Sequence, residues 1–230
     1  MNLTIENLTS GFLKKEVLKN LNFTAGEGEI IGLVAPNGTG KTTFMRAIAN
    51  LQPKKSGRIE IDGYTAKNRK EYFKKFFFLE GTQSLSDNLT PLDYLSYIKK
   101  TWKSPHTIEE IITRAGIEGF KSLKIKKMSL GMKQKTLIAL YLMSNSPFFI
   151  LDEPFNGLDI DNANDLSNIL KTEAENGRTI LISLHSIYHM ERVCSRISFL
   201  HEGKIARELT DMSNIEENYH EVFNKGKVVV

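Results

Sequence analysis

The stretch IIGLVAPNGTGKTT, Ile30 to Thr43, joins a five-residue apolar run to a glycine-containing loop and then to residues able to open a helix. Its second half follows the phosphate-binding pattern G-x-x-x-x-G-K-[ST] at Gly40, Lys41 and Thr42, with Gly38 inside the loop, and differs at the first position, where Ala35 stands. Strand, loop and helix in that order turn several backbone N–H groups toward one point. The positive end of the new helix lies behind them, so phosphate oxygens can be held with little sequence-specific chemistry. The candidate cradle is Ala35, Pro36, Asn37, Gly38, Thr39, Gly40, Lys41, Thr42 and Thr43. Lys41 would reach the outer phosphates, and the Thr42 hydroxyl would face Mg²⁺. The extra methyl of Ala35 is harmless if its φ is negative and strained by about 1–2 kcal/mol if φ is positive. Because every other loop position is kept, a negative φ is expected.

A nucleotide site of this kind needs an acidic contributor on a neighbouring buried strand. FFILDEP supplies one: four apolar residues, Phe148 to Leu151, followed by Asp152 and Glu153 where the top of a parallel sheet opens to a ligand. Asp152 is placed to hold Mg²⁺ through water, and Glu153 to orient or deprotonate an attacking water.

Outward from these two motifs the pattern is α/β. IIGLV, FFFL (Phe76 to Leu79), FFIL, TILIS (Thr179 to Ser183) and ISFL (Ile197 to Leu200) are short continuous apolar runs, as buried parallel strands require. LTIENL, LNFTA and SGRIEIDG alternate apolar and polar residues, which predicts antiparallel strands with one wet face near the amino terminus. Thr90-Pro91-Leu92-Asp93 and Thr107-Ile108-Glu109-Glu110 read as helix starts, and Gly116 as a stop, so a helical insertion over roughly 85–135 interrupts the core.

The 230 residues suit one domain with subdomains, and 40% hydrophobic with 25% charged residues excludes a disordered or fibrous chain. No apolar run approaches the roughly 18–20 residues that cross a bilayer. MNLTIENL lacks the basic patch and apolar core of a secretory signal, and a single cysteine, Cys194, fits a reducing compartment, so a cytoplasmic location is expected. A net charge of +4 is modest, and nucleic acid is not an expected partner. Lys121, Lys124, Lys126 and Lys127 cluster, either as a solvated face or as a contact for an anionic surface or partner.

Taken together, these motifs resemble the nucleotide-binding subunit of an ATP-binding cassette (ABC) transporter, from Leu3 to about Arg207. MSLGM, Met128 to Met132, sits where the family carries its LSGGQ signature, with Leu130 and Met132 as departures and Ser129 and Gly131 kept. MSLGMKQK is similar to a variant found in a branch of drug, lantibiotic and bacteriocin exporters. Ser129 can cap the helix that follows, leaving its hydroxyl and the free N–H groups outward.

The resemblance implies an α/β P-loop NTPase (RecA-like) core with an N-terminal antiparallel β subdomain and an inserted α-helical subdomain, forming one ABC-type domain over 1–230. It implies ATP and Mg²⁺ as cofactors, with Thr42, Glu80 and Asp152 toward the metal and Gln83 as the alternative to Glu80. His185, after TILIS, resembles the switch histidine that contacts the γ-phosphate, beside Glu153 as the catalytic base. Phe12 falls where the family stacks an aromatic on adenine, although packing would use it equally well. Asn156-Gly157-Leu158-Asp159 resembles the D-loop and could equally be a turn. Ser129, Leu130, Gly131 and Met132 would face ATP held by a second ATP-binding subunit, the same chain or another. Separately encoded transmembrane subunits would be powered in turn, for export, with this chain peripheral on the inner face of the cell membrane. Two other readings remain open: a soluble cassette protein acting on nucleic acid or ribosomes, and a non-hydrolysing regulatory cassette.

Overall fold

The computed structural model of the chain describes residues 1–12, 15–184 and 187–223. In chain order the elements are β1 (Leu3–Phe12), β2 (Lys15–Ala25), β3 (Ile30–Val34), α1 (Lys41–Ile48), β4 (Lys54–Ile61), α2 (Arg69–Phe73), β5 (Phe76–Leu79), α3 (Pro91–Trp102), α4 (Ile108–Ala115), α5 (Leu130–Ser144), β6 (Phe148–Leu151), α6 (Ile160–Glu175), β7 (Thr179–Leu184), α7 (Ile187–Val193), β8 (Arg196–His201), β9 (Lys204–Leu209) and α8 (Ile215–Phe223).

The alternating segments form an antiparallel sheet in the order β2-β1-β4, and the continuous apolar runs together with β9 form a second sheet in the order β5-β6-β7-β3-β8-β9. From β5 to β8 every neighbouring pair is parallel, with Leu79 beside Leu151, Leu151 beside Ile182 and Val34 beside Leu184. Shared direction brings the carboxyl ends of β3, β5, β6 and β7 to one edge, where ligands of α/β sheets bind. β9 turns back antiparallel to β8, a strand the apolar pattern does not announce.

All five residues of β3 and all four of β6 are buried. One core lies between the sheet and α1 with the antiparallel strands; the other lies between the opposite face and α3, α4, α5 and α6. Each large apolar side chain removed from water there, Phe148 or Phe199 for example, contributes about 1.5–3 kcal/mol.

The insertion forms as its caps predict. Thr90 accepts from Asp93 N while Asp93 accepts from Thr90 N, Thr107 accepts from Glu110 N, and Gly116 closes α4 in the left-handed region. α5 starts at its cap Ser129 and runs through residue 135 without interruption into the core beneath β6. Among the described residues no helix is long and apolar enough to cross a membrane.

Candidate functional site

The loop after β3 lies at the carboxyl edge of the sheet, and Ala35 is buried with no positive φ, as the rest of the loop pattern demanded. Gly40, at the helix start, has φ 121°, and a Cβ there would stand 2.8 Å from Val17 Cγ1. The loop therefore closes against β2 in a way that only glycine permits. Phe12 pairs with Lys15 at the far end of the same β1–β2 ladder and is 52% exposed, so its ring is available beside the hairpin that flanks the loop.

Lys41 is buried, and its ammonium donates to Ala35 O at 2.6 Å and Pro36 O at 3.4 Å. Burial pushes its pKa down, against the opposing pull of the Glu153 and Asp152 carboxylates. A partly desolvated cation thus faces two acids across the mouth of the loop, where a phosphate oxygen would offer a charged acceptor in place of the weak carbonyl ones.

Thr42, one residue further, donates its hydroxyl to Asp152 Oδ2 at 2.9 Å. Ser183 on β7, the strand between β3 and β6, donates to Asp152 Oδ1 at 2.6 Å and accepts from Glu153 N at 2.8 Å. Loop, acidic pair and intervening strand are thereby one hydrogen-bonded unit. Ser183 is, after the opening Thr179, the polar residue of TILISL.

Glu153 has φ 51°, its carboxylate accepts from the Asn156 side chain, and its carbonyl accepts from Gln134 Nε2 at 2.9 Å. Gln134 lies in MSLGMKQK and Asn156 opens the 156–159 tetrapeptide, but neither pattern points to a contact with Glu153. Glu80, at the end of β5, pairs with Arg46 Nε at 3.2 Å, one turn beyond Thr42 on α1. Gln83 lines a cavity of about 200 Å³ with Gln134, Asp152, Glu153 and Asn156, so Glu80 and its alternative Gln83 both lie at this end of the sheet.

The second constellation gathers on the other side of Glu153. Ser129 accepts from Met132 N at 3.2 Å as the cap of α5, and Leu130 is 51% exposed. A Cβ on Gly131 would meet Gly157 O at 3.2 Å, and one on Gly157, where φ is 76°, would run into the Leu130 side chain. The 129–132 segment therefore packs directly on the 156–159 turn. Asp159 caps α6 by accepting from Asn162 N at 2.9 Å, and Ile160 beside it is 75% exposed. His185 lies outside the described residues.

A family model for ABC transporters matches residues 18–156 of the 230. The chain belongs to the ABC transporter family. Among curated relatives, the lantibiotic transport ATP-binding protein SrtF of Streptococcus pyogenes is 33% identical over 223 residues, covering 96% of each chain. The ABC transporter ATP-binding protein MJ1023 of Methanocaldococcus jannaschii is 32% identical over 229 residues, covering 99% of this chain and 85% of that one. A solved ATP-binding subunit of an ABC transporter superposes with a TM-score of 0.86 at 27% identity, over 97% of this chain and 95% of that one. The cassette MJ0796, solved as a dimer after hydrolysis with ADP and Pi, superposes with a TM-score of 0.78 at 25% identity, over 90% and 98% of the chains. As an ABC cassette with this site, the chain is the ATP-hydrolysing subunit of a transporter.

Among the described residues no group of three or more His, Cys, Asp or Glu side chains converges as a metal cage. One carboxylate and one hydroxyl, Asp152 and Thr42, suit Mg²⁺, which keeps several waters and shares substrate phosphates.

Proposed function

We propose that residues 1–230 form a single ABC-type ATP-binding domain, with the helical subdomain at about 85–135, that powers export through separately encoded transmembrane subunits. The observation that carries this reading is the hydrogen-bonded chain Thr42–Asp152–Ser183–Glu153, which joins a phosphate cradle to a catalytic base. The similarity to the lantibiotic transport protein supports the outward direction.

ATP is the substrate, its phosphates on Ala35 to Thr43 and its adenine on Phe12. Thr42 and Asp152 would hold Mg²⁺, with Glu80 approaching from β5 and Gln83 as the alternative. Bound there, Mg²⁺ would offset negative charge on the outer phosphates. Lys41 exchanges its carbonyl partners for phosphate oxygens. Glu153 takes a proton from the attacking water as that oxygen bonds to the γ-phosphorus and the bond to the bridging oxygen breaks; His185 contacts the γ-phosphate. Ser129, Leu130, Gly131 and Met132 face the ATP of a second ATP-binding subunit, and Asp159 lies in the loop between the two.

ATP binding closes the pair, and hydrolysis with product release lets it part. That movement passes to the membrane subunits through the insertion and the 80–88 segment, with the cassette peripheral on the inner face of the cell membrane. Purification from gently solubilised membranes tests the assembly. An integral membrane protein recovered with the chain in stable proportion is the expected result, and a chain recovered with none contradicts it.

A further inference from the structure

Gln134 lies in α5, five residues past the capping Ser129, and is 4% exposed. Its Nε2 donates to the Glu153 carbonyl at 2.9 Å, while its Oε1 is buried without a hydrogen-bond partner. Glu153 itself has φ 51°, a conformation that a non-glycine residue keeps only where its surroundings over-determine it. The surroundings do so from both ends: Glu153 N–H donates to Ser183 Oγ at 2.8 Å, and its carbonyl also accepts from Asn156 N at 3.2 Å.

We propose that Gln134 is a positioning residue for Glu153, holding the strained backbone that aims the carboxylate. Because Gln134 and Ser129 share one helix, it also ties the helix end that meets the partner subunit's nucleotide to the base of the chain's own site. The proposal rests on the reading of Glu153 as the base. A glutamine kept only for packing gains nothing from a buried acceptor with no donor, since an apolar side chain of similar shape avoids that cost. The one bond Gln134 does make goes to the backbone of the residue whose direction matters.

The test compares wild type, Gln134→Met and Glu153→Gln as purified full-length chains, reading ATP turnover with Mg²⁺ across ATP concentrations and thermal unfolding. Methionine keeps the length and burial and removes the donor. The expected result is a kcat lowered by about 10–100-fold, the scale of a small misplacement at a reacting centre, with KM for ATP within about threefold and an unfolding temperature no lower than wild type. Gln134→Leu, also without the donor, is read in the same way if the methionine variant does not fold.

A folded variant with kcat within about twofold of wild type overturns the proposal, at that threshold well short of the misplacement scale. So does a kcat loss that arrives with a lower unfolding temperature and a matching rise in KM. If Glu153→Gln abolishes turnover while Gln134→Met does not slow it, the positioning role alone falls. If Glu153→Gln turns over at the wild-type rate, the base assignment falls and takes the positioning role with it.

Discussion

Thr42 donates its hydroxyl to Asp152 across 110 residues of chain, at 2.9 Å, and this bond fixes the first turn of α1 against the end of β6. Replacing Thr42 by Val keeps the branched shape and removes the donor. On the proposed reading this hydroxyl would both ligate Mg²⁺ and orient the Asp152 carboxylate, and since losing the orienting bond alone costs about 10–100-fold in metal affinity, the Mg²⁺ concentration that half-saturates ATP turnover should rise by at least that factor. Thr42→Ser, which retains the hydroxyl, should stay close to wild type. A Mg²⁺ titration of turnover in the two variants checks both.

Glu173 links the inserted subdomain to the core. Its carboxylate, almost wholly buried, accepts from Arg114 of α4 and from Arg178 ahead of β7, and Arg178 also donates to Ser146 O at 2.6 Å. Glu173→Gln leaves two guanidinium groups short of their counter-charge. Because those groups are 31% and 15% exposed, the lower end of the range for breaking a buried ion pair applies, about 3 kcal/mol. For a chain of this length that corresponds to about 6–12 °C in unfolding temperature, read by calorimetry. A change under about 2 °C would mean that the pair contributes little.

Alkaline pH should weaken the fold through three buried acids. Burial raises the pKa of Cys194 above its ordinary 9.0 and those of Tyr72 and Tyr141 above 10.0. Below those ordinary values the folded and unfolded chains bind the same protons at these groups, and their contribution is fully present. Above them the unfolded chain releases protons that the folded chain keeps, so stability is lost as pH rises through the raised values. Unfolding temperature measured across the pH scale should therefore bend downward above 9.0 on account of these groups. Cys194 in the native chain should also resist a thiol reagent at mildly alkaline pH and react fully once denaturant is added.

Much of this architecture is legible in local pattern. Continuous apolar runs became parallel strands because both of their faces are covered. Thr90, Thr107 and Ser129 became caps because a side-chain oxygen meets free N–H groups wherever such a residue precedes a helix. The phosphate loop was legible for the same reason, since its chemistry is written in consecutive residues. Ser183, Gln134 and Arg46 were not. Each acts on a residue far away in sequence, and the side of α5 that carries Gln134 has no periodic signature because Leu137 to Ser144 are buried all round the helix. β9 was missed because KIAREL alternates at a sheet edge, with a Glu202-Gly203 turn as its local cue.

The central claim is that the Thr42–Asp152–Ser183–Glu153 chain makes a working hydrolytic site. It is tested most directly by ATP turnover of purified wild type and Glu153→Gln in Mg²⁺, with the dimer fraction in ATP followed by size-exclusion chromatography. The account predicts that the wild type hydrolyses ATP, and that Glu153→Gln loses turnover while accumulating ATP-bound dimers. A Glu153→Gln variant that hydrolyses ATP at the wild-type rate would contradict it.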